Sequence, residues 1–168
     1  MSASRFLALP EEKPYLEYID GVVRQKPMVN AFHGRIVRKL DSLFDRHIDA
    51  YGGDAGPERT VDMPTSGNYQ LPDTAYWAPG VPSGDGSAPT IAVELRSPRQ
   101  SLPTLRRKCE AFLADSVAEC WLIDPEARTL EVITSSRRRT LRDSETLTTS
   151  AMPGFELHLA DLFALLDQ

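Results

Sequence analysis

The stretch IAVELRSPRQ, residues 91–100, constrains the fold more than any other part of the chain. Ile91, Ala92, Val93 and Leu95 form the kind of apolar run that belongs to a strand buried on both faces, inside a sheet covered by helices. Glu94 puts a carboxylate into that run. An unpaired buried charge costs several kcal/mol, so the chain must supply a cation, such as Arg96, or a bound metal ion. Glu94 and Arg96 would point to the same face of an extended strand, and the Ser97-Pro98 pair that follows breaks it.

The flanking segments supply the rest of the architecture. YLEYIDGVVRQKP reads as two short strands around an Asp20-Gly21 turn, a strong hairpin signal. Phe32, Ile36, Leu40, Leu43, Phe44 and Ile48 recur at steps of three and four between Val29 and Ala50, which predicts an amphipathic helix that YGGDAG ends. Strands are expected near PERTVDM and TAYWA, and the Gly-, Pro- and Ser-rich segment 78–89 reads as a surface loop between two strands. Ser101 can cap a second helix over Leu102–Ala114, with Leu105, Cys109, Phe112 and Leu113 on its apolar face. AECWLID and TLEVITSS are strands joined by the PEAR turn, RRRTLRD and ETLTTS suggest another hairpin, and a terminal helix covers Leu159 to Leu166. This order predicts one domain, residues 1–168, of α/β or α+β class: one mixed sheet with helices against it and a β-hairpin at the N-terminus.

Asp73 changes the meaning of Glu94. It opens DTAYWAP just after Pro72, and loop 78–89 is long enough to bring the two strands together with both acids at neighbouring ends. Adjacent carboxylates resist ionising together unless a hard cation such as Mg²⁺ lies between them. Lys108 falls beside Leu105 on its helix, at about 100° per residue, so its stem can run along the sheet and carry the ammonium to the strand ends. From Arg96 to Lys108 there are five cations, Arg96, Arg99, Arg106, Arg107 and Lys108, and no acid, a strip suited to phosphate. Arg106 and Arg107 fall on the solvent side of their helix, and Arg137, Arg138 and Arg139 on a charged hairpin edge. His33, on the inner flank of the first helix, either reaches the site or satisfies a core hydrogen bond.

YLEYIDG, His33 early in the first long helix, LPD, VELRSP and a lysine fourteen residues after Glu94 together resemble the Uma-two family of restriction endonucleases, within the PD-(D/E)XK nuclease superfamily. The likeness extends from Leu16 to Phe163, through CWLIDPEARTLEVI and MPGFEL. It implies a restriction-endonuclease-like core in which Asp73 and Glu94 hold Mg²⁺ or Mn²⁺ and Glu17 completes the metal shell. Lys108 matches the family lysine, displaced to the helix from the position where Arg96 stands. Arg96, Arg99 and His33 are the expected substrate contacts, and metal-assisted hydrolysis of DNA is the expected reaction. Thr104 and Phe112 stand where many relatives carry Asp and Tyr. Two alternatives remain open: a nuclease fold kept as a binding or assembly module without turnover, and a Glu94–Arg96 ion pair that leaves Lys108 in solvent.

The formal net charge of −5 argues against a strong non-specific nucleic-acid binder, though not against an enzyme that grips phosphates locally. No apolar run approaches the roughly 20 residues needed to span a bilayer. MSASRFLALPEEKP has no signal-peptide pattern, so a cytoplasmic protein is the expectation. A homodimer is expected because enzymes that cut both strands of a duplex commonly match its two-fold symmetry. Cys109 and Cys120, eleven apart with no CxxC pair and no histidine at zinc-ligand spacing, read as reduced core residues.

Overall fold

The computed structural model describes all 168 residues. A short helix α1 (Ala3–Leu7) precedes β1 (Leu16–Ile19), β2 (Val22–Gln25) and the long helix α2 (Ala31–Tyr51). Then come β3 (Asp54–Pro57), β4 (Val61–Met63), β5 (Asn68–Gln70), β6 (Thr74–Trp77), β7 (Ile91–Leu95) and α3 (Leu102–Ala114). The chain closes with β8 (Glu119–Asp124), β9 (Thr129–Ile133), β10 (Arg138–Arg142), β11 (Thr146–Leu147), β12 (Leu157–His158), α4 (Leu159–Phe163) and a 3₁₀ turn, Ala164–Asp167. The central sheet has six strands in the order β10-β9-β8-β7-β6-β3. It is mixed, with β7 and β8 parallel and every other neighbour antiparallel. α3 is the crossover that a parallel pair requires. No helix is long and apolar enough to cross a membrane.

All five residues of β7 are buried, and the pleat sorts them into two layers. Ile91, Val93 and Leu95 pack with Ile36, Leu40 and Phe44 of α2 and with Leu162 and Phe163 of α4. Ala92 packs on the other side with Leu105, Cys109 and Phe112 of α3 and with Cys120 and Leu122 of β8. Glu94 has the parity of Ala92, so it faces the α3 layer. The two cysteines are free, buried and in contact with each other between α3 and β8.

The helix caps explain the boundaries. Asn30 Oδ1 accepts the His33 N–H at 2.9 Å, so α2 begins at Ala31 rather than Val29. Ser101 Oγ accepts the Thr104 N–H at 3.3 Å and starts α3 where the sequence places it. The hairpin β1–β2 turns at Asp20 and Gly21, whose φ of 51° and 80° suit a two-residue turn, and it pairs Glu17 with Arg24.

Three features differ from the sequence expectation. The hairpin belongs to a second, antiparallel sheet, β2-β1-β5-β4. Its member β5 has three residues, too few to show alternation, and is joined to β1 by the Tyr18–Tyr69 pairing and an Asp20 N–H bond to Asn68 Oδ1 at 2.8 Å. The hairpin expected from RRRTLRD and ETLTTS does not form: β10 pairs with β9, and β11 pairs with β12. A tight turn intervenes, in which the Glu145 N–H donates to Arg142 O at 2.8 Å and the Arg142 N–H to Glu145 Oε2 at 2.7 Å. Finally α1, which has no periodicity to announce it, anchors through Phe6 stacked 5.4 Å from Tyr18.

Two measurements check this architecture. Gly53 has φ +104°, and a Cβ there would meet Trp77 O at 2.6 Å, whereas Gly67, at φ +73°, has open space around it. Gly53→Ala is expected to lower the unfolding free energy by about 1–3 kcal/mol, the range of a strained backbone position, and by more than Gly67→Ala in urea titrations of both. Burial, reinforced by the contact with Cys109, pushes the Cys120 thiol well above its ordinary range. A thiol reagent should therefore label neither cysteine in the native protein and both after denaturation.

Candidate active site

The pairing of Thr74 with Val93 between β6 and β7, carried one residue further, sets Asp73 opposite Glu94. Two bonds hold the acids there: the Asp73 N–H donates to Val93 O at 2.9 Å, and the Leu95 N–H donates to Asp73 Oδ2 at 2.8 Å. Both residues are almost fully enclosed, with 5% and 2% of their surface exposed. Glu17 comes from the other sheet, where its Oε1 accepts the Leu71 N–H at 2.8 Å.

Leu71 is also where the cations meet. Its carbonyl accepts from Lys108 Nζ at 2.9 Å and from Lys26 Nζ at 3.1 Å. Lys108 stands between two acids, 2.8 Å from Glu17 Oε1 and 3.0 Å from Glu94 Oε1. Lys26 lies 2.9 Å from Asp73 Oδ1, and His33 Nε2 lies 3.5 Å from the same oxygen. All these side chains line an open cavity of about 500 Å³, with the exposed Arg24 and Arg107 on its wall.

Three carboxylates face two ammonium groups, and the deficit falls on Glu94. Burial above all, with the Asp73 and Glu17 charges, pushes its carboxyl up to about 7 against the pull of Lys108. At Asp73 burial also acts upward, but Lys26, His33 and Lys108 outweigh it and hold the carboxyl well below the usual range. Burial acts to lower the Lys108 pKa, and Glu94, Glu17 and Asp73 together hold it above the ordinary lysine range. Glu94 Oε1 is buried without a hydrogen bond, and its contact with the Lys108 ammonium is an ion pair.

This donor set fits a hard divalent cation. Carboxylate oxygens are what Mg²⁺ and Mn²⁺ take, one of them lacks a hydrogen bond, and the inner cluster of Glu17, Asp73, Glu94, Lys26 and Lys108 has one formal negative charge in excess. The acids are not closed into a ready shell of three ligands, since ammonium groups stand between them.

Residues 3–160 match Uma2, the family described as "Putative restriction endonuclease". The chain belongs to the Uma-two family. A solved structure described as "a putative nuclease belonging to DUF820 from Anabaena variabilis ATCC 29413" superposes with a TM-score of 0.87 at 24% identity, over 99% of each chain. That likeness establishes the fold, a mixed sheet flanked by helices, and family membership makes this a nuclease-type protein. No curated protein matches the chain.

Among the residues singled out in this Uma-two sequence, Glu17, His33, Asp73, Glu94 and Lys108 come together in the cavity. Arg96 and Arg99 lie elsewhere. The Arg96 guanidinium binds Asp124 Oδ1 at 3.2 Å, Glu126 Oε2 at 2.9 Å and Gln100 O at 3.0 Å. No Glu94–Arg96 pair forms; Lys108 takes that place. Arg99 is exposed, away from the cavity lining. Arg106 is not a free surface cation either, because its Nε donates to Glu131 at 3.1 Å. Of the two departures from the family pattern, Thr104 receives the Ser101 hydroxyl bond at 2.8 Å, and the Phe112 ring centre lies 5.8 Å from Lys108 Nζ.

Lys26 escapes the sequence reading, although a signal exists. The Asp20-Gly21 turn fixes the register of β1 on β2, and Lys26, which follows Gln25, has the parity of Arg24, the partner of Glu17. Its face was therefore deducible from that of Glu17.

Arg96→Ala is expected to cost about 1.5–3 kcal/mol, because it takes the cation from the buried Asp124 carboxylate, which keeps only the backbone N–H bonds of Glu126 and Ala127. Arg99→Ala should stay within about 0.5 kcal/mol of the parent. Equal stabilities of the two variants in chemical denaturation would contradict the structural role assigned to Arg96.

Proposed function

We propose that this chain is a divalent-metal-dependent nuclease that hydrolyses phosphodiester bonds of DNA. Asp73, Glu94 and Glu17 would hold Mg²⁺ or Mn²⁺, and Lys108 is the catalytic lysine. The observation that carries the reading is the placement of Asp73, Glu94 and Lys108 around one open cavity at the ends of β6 and β7 in an Uma-two chain. It corresponds to the PD-(D/E)XK arrangement with the lysine moved from the strand to the following helix.

A divalent cation bound there supplies Lewis acidity and a more acidic water. The protein supplies the rest. The Leu95 N–H keeps Asp73 in place, and Glu94 is held by the pleat of β7. Lys108, gripped by Glu17, Glu94 and Leu71 O, is preorganised to orient the attacking water or offset charge on the pentavalent phosphoryl group. His33 in the cavity wall, with Arg24 and Arg107, offers the contacts that fix a phosphate backbone. Arg99 can reach only flanking phosphates, and Arg96 acts on the substrate indirectly, by tying the end of β7 to that of β8. A two-fold dimer working on duplex DNA in the cytoplasm is the setting this reading favours.

One observation supports the alternative of a nuclease fold without turnover: the Lys26 ammonium already rests on Asp73 Oδ1. DNA cleavage assays with Mg²⁺, Mn²⁺ or excess chelator separate the two. Cleavage should need the divalent ion and vanish in a folded Asp73→Asn variant. Lys108→Met should lower turnover by about a hundredfold or more at temperatures where circular dichroism shows it folded, the scale for losing one electrostatic stabiliser. Cleavage that persists in chelator, or in Asp73→Asn, would sink the proposal.

A further inference from the structure

Lys26 stands where a cation on Asp73 would have to sit, and the cavity is arranged so that it can leave. We infer that Lys26 is an exchangeable internal counter-ion: it holds Asp73 Oδ1 while no metal is bound, yields that oxygen to a divalent cation, and then turns its charge to a substrate phosphate. The inference rests on the metal-dependent reading above and adds a residue to it.

Leaving would strand neither acceptor. Lys26 Nζ has two partners, Asp73 Oδ1 at 2.9 Å and Leu71 O at 3.1 Å. Leu71 O also accepts from Lys108 at 2.9 Å, and Asp73 keeps the Leu95 N–H on Oδ2 and His33 beside Oδ1. Asp73 therefore stays in position when the ammonium departs. Lys108 has no such freedom, because its removal would leave Glu17 and Glu94 without a cation at contact distance. Lys26 follows the last residue of β2, and its flexible four-carbon stem lies in the wall of the cavity, which has about 500 Å³ of room.

Charge gives the exchange its direction. Within the inner cluster, by formal charge, two lysines against Glu17, Asp73 and Glu94 leave one negative charge in excess, and a divalent cation turns this into one positive charge, the complement of a single phosphodiester. Without Lys26 the loaded cluster would be formally neutral. Lys26 should therefore oppose metal binding and favour phosphate binding, whereas a residue that merely props up Asp73 would support both.

The test is Mn²⁺ titration of the full chain by calorimetry, comparing the parent, Lys26→Met and Lys26→Gln, with Asp73→Asn as the control. Lys26→Gln keeps a donor for Leu71 O without the charge, and melting curves confirm that each variant is folded. Binding of a short DNA oligonucleotide is measured in saturating Ca²⁺ on the same proteins, with a gel to show that the strand stays intact. The expected result is Mn²⁺ binding about tenfold tighter in both Lys26 variants, given the strength of a unit charge a few ångströms away. DNA binding should be several-fold weaker, with a salt dependence reduced by about one phosphate contact. Mn²⁺ binding by the Lys26 variants with none in the parent would overturn the exchange, because Lys26 would then be a fixed block on Asp73. Unchanged or weaker Mn²⁺ binding in folded variants overturns it and leaves the nuclease reading standing, as does tighter Mn²⁺ binding with unaltered DNA affinity for the phosphate half. Mn²⁺ binding by neither parent nor variants, or binding that Asp73→Asn does not reduce, overturns the metal-dependent reading and this inference together.

Discussion

The burial of Glu94 in the centre of a sheet is the constraint on which the rest of the structure depends. A carboxylate with 2% of its surface exposed needs a compensating charge, and no neighbour on β6 or β8 provides one. The cation comes from α3, which has to follow β7 as its crossover to β8. One connection thus meets two demands: it covers the apolar residue Ala92 and delivers Lys108 to Glu94. A crossover on the opposite face of the sheet would leave that acid without a cation.

Neither sheet contains the site alone. Glu94 belongs to the six-stranded sheet and Asp73 immediately precedes its strand β6, whereas Glu17 belongs to the four-stranded one and Lys26 immediately follows its strand β2. The segment between β5 and β6 joins them: the N–H of Leu71 binds Glu17, its carbonyl receives both lysines, and Asp73 follows two residues later. A single extended peptide thus sets the spacing of three acids and two bases. Because each charge in the cavity shares a partner with another, pairwise deletions at Glu17, Lys26, Asp73, Glu94 and Lys108 should not add. The Glu94 carboxyl, pushed up to about 7, is the member of the group least well compensated, which agrees with its unbonded Oε1.

Local pattern made the central elements legible. The helix steps from Phe32 to Ile48, the capping Ser101, the Asp20-Gly21 turn and the apolar run around Glu94 each specify a conformation through nearest neighbours, and the structure forms α2, the β1–β2 hairpin, α3 and β7 there. The short pieces were not legible in this way. β5 and β11 have three and two residues, too few to show alternation; β5 pairs with the neighbouring β4 and once with the distant β1, and β11 pairs with β12. The acids and Lys108 were readable because a charge inside an apolar run, or on the flank of an apolar face, contradicts its surroundings.

Arg96 and Lys26 mark the limit of that reading. By itself the sequence determined that an acid is buried, that the chain stops at Ser97-Pro98 and that a lysine follows on a helix; these are properties of short segments whose periodicity dictates which side faces inward. Only the tertiary structure decided which cation meets which acid. Arg96 lies two residues from Glu94 yet binds Asp124, while Lys26, 47 residues from Asp73, reaches it at 2.9 Å. The physical reason is that ion pairing follows distance in space and the cost of burial, both set by how the two sheets meet, and no local pattern encodes that meeting.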